Sequence, residues 1–360
     1  MMDLNLIPDG GISWLDASGP DSAVVMSTRV RLARNLTGRR FTIRSDAASR
    51  RANIEDVVAA GRDSRKLADA SIIRLDEIEP LDRQLLHERH LVSKELAGFS
   101  PERAGIKEAA LITTGKLGVM VNEEDHLRFQ CLESGLALGE AHRQLESIEK
   151  ELGNKLPFAF DPEFGYLTSC PTNAGTGLRA SVLIHLPGLV LTKEINRVLQ
   201  GLSQVGLTFR GLYGEGSEVV GNFFQISNQT TLGKSEAELV DHLSTTVRRV
   251  IEYEEEARQI LMRDARLVIA DKVWRAYGLL RYARSISFEE TMNLLSGVRL
   301  GVGLSLITSL SIYTLNKLMV FTQPAHLSHA EGRELNETEL SSLRAAYVRR
   351  VLEEDSTRLA

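Results

Sequence analysis

The sequence predicts an α+β region running to about residue 235, followed by a mainly helical region. Three observations carry this. Up to about residue 235, Pro, Gly and β-branched residues are frequent and several short runs alternate polar with apolar. From Ser235 to Arg284 there is no Pro and almost no Gly, and Leu239, Leu243, Val247, Val250 and Ile251 recur at helical spacing. Helix formers then dominate to the C-terminus, with breaks expected near Gly297 to Gly303 and at Pro324.

The strand-like runs come in order. In Met26 to Leu32, Val30 and Leu32 face one side, Arg29 and Arg31 the other. After the apolar Leu117 to Val121, the residues Leu127, Phe129 and Cys131 alternate with His126, Arg128 and Gln130. In Leu178 to Ile184, Arg179 and Ser181 stand opposite Ala180, Val182 and Ile184; in Gly206 to Arg210, Arg210 stands opposite Leu207 and Phe209. A period of two places each set on one surface of a sheet. Any one run is a half-buried strand with a solvated face. Four that each present Arg, where Lys, Thr or Gln would serve water equally well, point to a ligand.

Bulk composition narrows the ligand's setting. The chain has 360 residues, 43% apolar and 25% charged, with a net charge of −5, so there is no global attraction to nucleic acid or to an anionic membrane. Cys131 and Cys170 make neither a disulfide framework nor a zinc spacing. No basic start followed by an apolar run marks a signal peptide, and Leu300 to Leu310 is too short to span a bilayer. A cytoplasmic protein without nucleic-acid or membrane partners is the expectation.

Arginine gathered on a sheet points to phosphate. Guanidinium stays charged and grips phosphate oxygens bidentately, and several together neutralise a triphosphate and its transition state. Arginines gathered without an anion would repel one another. The usual phosphate loops are absent. Gly233-Lys234-Ser235 resembles the end of a P-loop, but Asn228 stands where the first Gly is required. Gly175-Thr176-Gly177-Leu178-Arg179-Ala180 matches a loose dinucleotide fingerprint, but a strand-like run follows where a helix should. The Gly-rich loop, His-Arg-Asp and Asp-Phe-Gly set of the protein kinases is missing.

Carboxylates accompany the arginines. Asn122-Glu123-Glu124-Asp125-His126 reads as a solvated turn, a metal site, or a catalytic acid that holds a cation. In extended chain, Glu124, His126 and Arg128 would share a face. Glu215, in the Gly-bordered run Gly211-Leu212-Tyr213-Gly214-Glu215-Gly216, is either an exposed loop acid or a second such group. His326 and His329 are expected to be surface or packing residues.

These blocks resemble the phosphagen (ATP:guanido) kinase family. Ser27-Thr28-Arg29-Val30-Arg31-Leu32-Ala33-Arg34-Asn35, Asn122 to Arg128, and Cys170-Pro171-Thr172-Asn173 through Ser181-Val182 stand in that family's order and spacing. Within it the chain is most similar to the bacterial protein-arginine kinases of the McsB type, through Arg210 to Glu218, Ile226 to Gly233 and Gln323-Pro324-Ala325-His326-Leu327. The small-molecule enzymes carry a helical domain before the first block; here only residues 1–26 precede it, which implies a site open to a side chain on a protein.

The resemblance implies an antiparallel sheet flanked by helices as the catalytic domain, residues 1–255, and a helical C-terminal domain, residues 256–360. It implies ATP and Mg²⁺ as cofactors, the ion held by phosphate oxygens and water with no protein ligands. Arg29, Arg31, Arg128, Arg179 and Arg210 would bind the phosphates. Ser27, Thr28, Val30, His90 and Glu215 would line the same pocket, with the backbone around Ala180, Ser181, Val182 and Leu183 and around Gly211, Leu212, Tyr213 and Gly214. Glu124 and Glu215 would grip the acceptor guanidinium, one acting as base. The five arginines should therefore meet at one pocket with both glutamates at its edge. Cys170, by itself a small buried hydrophobe, would lie beside the acceptor as a redox-sensitive thiol.

The implied partners are arginine-bearing protein substrates, a Clp-type protease and a zinc-containing activator, in a homodimer serving quality control and the stress response. A kinase for free arginine or another small guanidine, and a non-catalytic phosphoarginine-binding adaptor, are the alternatives. One departure stands out. Leu340-Ser341-Ser342-Leu343-Arg344-Ala345 occupies the place of an Arg-Asp-x-x-Arg-Ala motif that binds phosphoarginine, and its first Arg and its Asp are missing. The departure bears on allosteric self-activation by phosphoarginine and not on catalysis.

Overall fold

The computed structural model describes residues 3, 7–99, 108–211 and 219–359, the side chains of residues 356–359 excepted. The strands are β1 (Val25–Arg34), β2 (Ser71–Arg74), β3 (Ala110–Thr113), β4 (Leu117–Val121), β5 (Leu127–Ser134), β6 (Phe160–Asp161), β7 (Gly165–Tyr166), β8 (Leu178–His185), β9 (Leu207–Arg210) and β10 (Phe223–Asn228). β6 and β7 form a hairpin of their own; the other eight form one sheet in the order β2-β3-β4-β5-β1-β8-β10-β9. Every pairing in it is antiparallel. Each alternating run of the sequence falls on a strand, and β1, the first arginine-bearing run, is central.

Helices α1 (Ala47–Arg62), α2 (Pro80–Glu88), α3 (Lys94–Ala97), α4 (Leu138–Gly153), α5 (Pro187–Leu191) and α6 (Ile195–Gln204) are interleaved with the strands. Then come α7 (Glu236–Asp264), α8 (Arg266–Tyr282), α9 (Phe288–Gly303), α10 (Ile312–Phe321), α11 (Pro324–Glu331) and α12 (Glu337–Leu359). α7 opens on a capping box, Ser235 with Glu238, at the point where the sequence texture changes. It runs unbroken through residues 255 and 256. Among the described residues no helix is long and apolar enough to cross a membrane.

Two apolar clusters sandwich the sheet. On one face Val30, Leu32, Phe129, Cys131, Ala180, Val182 and Ile226 pack with Ile54 and Val57 of α1, Leu145 and Ile148 of α4, and Leu243 and Val247 of α7. On the other, Met120, Leu132 and Leu183 join Trp14, Leu86 and Leu91 and, from the C-terminal helices, Met292, Leu315 and Leu318. That second cluster walls in the arginine-bearing face.

The break expected near Gly297 to Gly303 falls at the end of that stretch: α9 runs through both Gly297 and Gly301 and ends at Gly303. A Cβ on Gly301 would sit 2.3 Å from Val273 Cγ1 of α8. The glycine serves close helix packing there, and that need outweighs its cost in helix propensity. Pro324 does end one helix and begin the next, as the first residue of α11.

Candidate active site

Strand register decides which side chains share the polar face. Arg31 stands opposite Arg179 of β8 and opposite Gln130 of β5. Arg29 stands opposite Leu132 and Ser181, Ala33 opposite Arg128, and Ser27 opposite Leu183. Gln225 of β10 stands opposite Leu183 and, on its other side, opposite Arg210 of the edge strand β9. Directly opposed residues project to the same side. Arg29, Arg31, Arg128, Arg179 and Arg210 therefore all lie on one face, across β5, β1, β8 and β9.

The electrostatics match that placement. Burial, with repulsion from Arg128 and Arg179, brings the Arg29 guanidinium down to about 10. Arg31 is pushed well below the ordinary arginine value, again by burial first and then by Arg29, Arg128 and Arg179, with Glu123 opposing. Burial acts to lower Arg128 as well, but Glu123, Glu124, Asp125 and Glu95 outweigh it and raise its pKa. Arg128 Nη1 donates to Glu123 Oε2 at 2.8 Å. Among the described residues the Arg29 side chain donates to a neutral partner, Gln225, whose Oε1 accepts from Nη2 at 3.2 Å. Arg31 Nε is buried without a partner among the described residues. Gathered guanidinium groups with a donor that lacks a partner among the described residues have the charge and hydrogen-bonding capacity that suit an anion.

A cavity opens at the Arg29 end of this face, lined by Ser27, Arg29, His90, Leu132, Ser181, Leu183 and Gln225. His90 reaches it from the turn after α2. Its backbone is left-handed, with φ 62°, and its ring lies 5.0 Å from that of Trp14. Its carbonyl accepts from Gln130 Nε2 at 2.7 Å. Burial, and then Arg29, His87 and Arg31, hold the imidazole well below its usual pKa, so it is neutral at physiological pH. Gln130 and Gln225 are the site residues that sequence reading missed. The period-two pattern puts Gln130 on the arginine face, but nothing local says that it would reach His90.

Thr28, Val30, Ala180 and Val182 do not turn their side chains to the cavity, which leaves only their backbone to border a ligand. Thr28 donates from Oγ1 to the Gly135 carbonyl at 2.6 Å, and Val30, Ala180 and Val182 are in the apolar cluster beneath the sheet. They belong to the same sequence blocks as the arginines, but a strand shows only every second residue to a ligand. Ser27, Ser181 and Leu183 do face the cavity. Gly211 is buried at the end of β9. Leu212, Tyr213, Gly214 and Glu215 lie outside the described residues.

Glu124 occupies a built turn between β4 and β5. Asn122, at φ 60°, starts the turn and donates its N–H to the His126 carbonyl at 2.9 Å. Asp125 Oδ1 accepts from Asn35 Nδ2 at 2.6 Å and from the Ser169 N–H at 2.7 Å. The Glu124 carbonyl accepts from Ser169 Oγ at 2.8 Å, which brings the half-buried Cys170 to the same turn.

His126 departs from the expected shared face, because the chain is bent there rather than extended. Fully buried, it accepts from the Leu36 N–H at Nδ1 (3.0 Å) and contacts the Arg40 carbonyl through Nε2 (2.9 Å). With Glu123, Asp125 and His126 each engaged in this way, no three His, Cys, Asp or Glu side chains among the described residues group to hold a metal ion.

The glycines of the discarded dinucleotide motif have a local reason. Gly177 has φ 64°, and a Cβ there would lie 2.6 Å from the Ala33 carbonyl oxygen. It lets the chain enter β8 hard against β1, which sets Arg179 opposite Arg31.

Comparison with known proteins finds relatives over nearly the whole chain. The family model for the ATP:guanido phosphotransferase C-terminal catalytic domain matches residues 53–257. The model for the protein-arginine kinase McsB C-terminal domain matches residues 266–359. The chain is similar to the protein-arginine kinase of Symbiobacterium thermophilum, with 47% identity over 93% of this chain and 95% of that protein. It is similar to that of Moorella thermoacetica, with 45% identity over 98% and 99%. Among solved structures it resembles lombricine kinase, with a TM-score of 0.56 and 26% identity over 69% of this chain and 71% of that one. It also resembles the duplicated taurocyamine kinase of Schistosoma mansoni, with a TM-score of 0.58 and 26% identity over 74% of this chain and 40% of that one.

Proposed function

This chain belongs to the ATP:guanido phosphotransferase family, and we propose that it is a protein-arginine kinase, transferring the γ-phosphoryl group of ATP to arginine side chains of other proteins. The observation that carries the reading is the register that gathers the arginines on one face with the Glu124 turn at its border. In this reading Arg29, Arg31, Arg128, Arg179 and Arg210 hold the phosphates, and Ser27, His90, Ser181, Leu183 and Gly211 border the nucleotide. Mg²⁺ enters with the phosphates, whose oxygens and water would hold it.

Glu124, with Glu215, grips the acceptor guanidinium. A guanidinium is no nucleophile while fully protonated. As its nitrogen approaches the γ-phosphorus, one proton passes to a glutamate, the N–P bond forms, and the bond to the ADP oxygen breaks. The arginine face stabilises the charge spread over the transferring group without moving. Cys170, next to Ser169, which bonds to the same turn, would lie beside the acceptor.

The test is to incubate the protein with Mg-ATP and a generic protein, then seek phosphoarginine by mass spectrometry under non-acidic conditions. Acid-labile phosphate on arginine is expected, and it should vanish with Glu124→Ala. Full activity in that variant overturns the mechanism. A kinase for a small free guanidine is the second reading, favoured by the likeness to lombricine and taurocyamine kinases. Rapid ADP release with free arginine and no protein acceptor would support it over the first.

We extend the proposal to a catalytic unit of residues 1–255 and a helical unit of residues 256–360, joined through α7. A cytoplasmic role in protein quality control and the stress response, with a Clp-type protease and a zinc-containing activator as partners, rests on the resemblance alone. A homodimer through the helical unit has local support: α8 exposes Leu267 (85%), Trp274 (50%) and Tyr282 (71%).

A further inference from the structure

The His90 turn is held from two sides, and one of them is the C-terminal helical region. On the sheet side, Gln130 Nε2 donates to the His90 carbonyl. On the other side lies the start of α11. Its N-cap residue, Gln323, makes no side-chain cap, and Pro324 has no N–H to offer. The next two amides, of Ala325 and His326, instead donate to the Glu88 carboxylate at 2.8 and 2.9 Å. Glu88, the last residue of α2, caps a helix that begins more than two hundred positions later in the chain.

The contact does not end with that cap. His326 Nδ1 lies 2.7 Å from Glu88 Oε2, and His326 Nε2 lies 3.1 Å from Arg89 Nε. A carboxylate can only accept and a guanidinium can only donate. One tautomer satisfies both, the neutral imidazole with its proton on Nδ1. Burial lowers this imidazole's pKa against the pull of Glu88, with Arg89 and His329 adding to burial. Arg89 also donates through Nη1 to the Gly10 carbonyl, and Phe321 flanks both His326 and Arg89. Glu88, Arg89, His90 and His326 are all buried, at 7, 4, 8 and 6% exposure. The two residues immediately before His90 are thus clamped by α11.

We propose that His326 is a positioning residue for the nucleotide: through Glu88 and Arg89 it holds the turn that presents His90 to the cavity beside Arg29, so the C-terminal helical region sets how tightly ATP is held. This rests on the reading above, in which the nucleotide occupies that cavity. His326 lies behind the turn and acts only through it. Its loss should weaken ATP binding and spare the acceptor side, which the Glu124 turn builds separately.

Steady-state kinetics of the full-length protein with a protein acceptor test this. His326→Leu should raise the KM for Mg-ATP about tenfold, as loss of a hydrogen bond to a charged group does, while kcat at saturating ATP and the acceptor KM stay within about twofold. His326→Gln, which offers Arg89 an acceptor again, should recover most of the difference. Glu88→Gln should shift the KM for ATP in the same direction, and it keeps the test alive should the leucine variant not fold.

His90→Ala is measured alongside. If it raises the ATP KM while the His326 and Glu88 variants behave like the parent, the clamp is overturned and the nucleotide reading stands. If His90→Ala leaves the ATP KM unchanged, the nucleotide reading fails and takes the clamp with it. An equal fall in kcat toward both substrates, with no change in ATP KM, reduces His326 to a purely structural residue and also overturns the proposal.

Discussion

Arg31→Met separates the two roles of the arginine face, because it should stabilise the empty protein while disabling the loaded one. Arg31 and Arg179 are directly opposed across β1 and β8. Directly opposed Cβ atoms lie about 5 Å apart, and guanidinium centres splayed to about 8 Å at an effective dielectric of about 40 repel by about 1 kcal/mol. Arg29 and Arg128 act in the same direction, and Glu123 offsets part of this. Solvent reaches the partly exposed side chain and screens part of the sum, which leaves a net relief of about 1 kcal/mol on removing the charge.

No hydrogen bond from Arg31 Nε is lost, since that atom has no partner among the described residues, and methionine keeps much of the apolar stem. Urea unfolding without nucleotide should therefore show the variant more stable than the parent by about 1 kcal/mol. The extra stability conferred by saturating Mg-ATP should shrink, because a ligand stabilises only as far as it binds. Turnover, followed as acid-labile phosphate, should fall by about 10²–10³-fold, the scale for losing one preorganised charge-stabilising donor. A variant less stable than the parent without nucleotide, with an intact increment from Mg-ATP, would refute the charge-crowding argument.

Two other consequences can be checked as directly. Gln130→Leu removes the sheet-side anchor of the His90 carbonyl, so the KM for ATP should rise several-fold, about the worth of one neutral hydrogen bond, with the acceptor KM unchanged; a shift in the acceptor KM instead would contradict the geometry. His126 is held neutral: burial, and then Arg39, lower its pKa, opposed by its hydrogen bond to the Arg40 carbonyl and by Asp125. The unfolded chain binds that proton more readily, so the contribution is whole above the ordinary histidine value of about 6.5 and is lost as pH falls from there toward the lowered folded value. Urea midpoints should drop between about pH 7 and pH 5, and His126→Asn should flatten the drop; equal slopes in parent and variant would count against this assignment.

Much of the site was legible because alternation is local. Arg29 and Arg31 had to share a face with each other and not with Val30, whatever the strand was paired with. The apolar spacing after Ser235 likewise set a helix without reference to the rest of the chain. Local patterns give way where a distant neighbour outvotes a local preference. Gly301 stays inside α9, which ends only at Gly303, because Val273 needs the space its side chain would fill. Alternation alone puts His126 on an extended face, but Leu36 and Arg40 draw it inward.

The sequence by itself determined which residues alternate, where the helical region begins, which charged groups are on offer, and a resemblance specific enough to name a chemistry. Only the tertiary structure decided which strands are neighbours and in what register. That choice turns four separate arginine-bearing runs into one cradle and sends Thr28, Val30, Ala180 and Val182 to its far side. It alone joined Glu88 to His326. The physical reason is that pairing register and helix docking are set by contacts between residues distant in the chain, here 238 positions apart. No local pattern of polarity, spacing or turn chemistry carries that information.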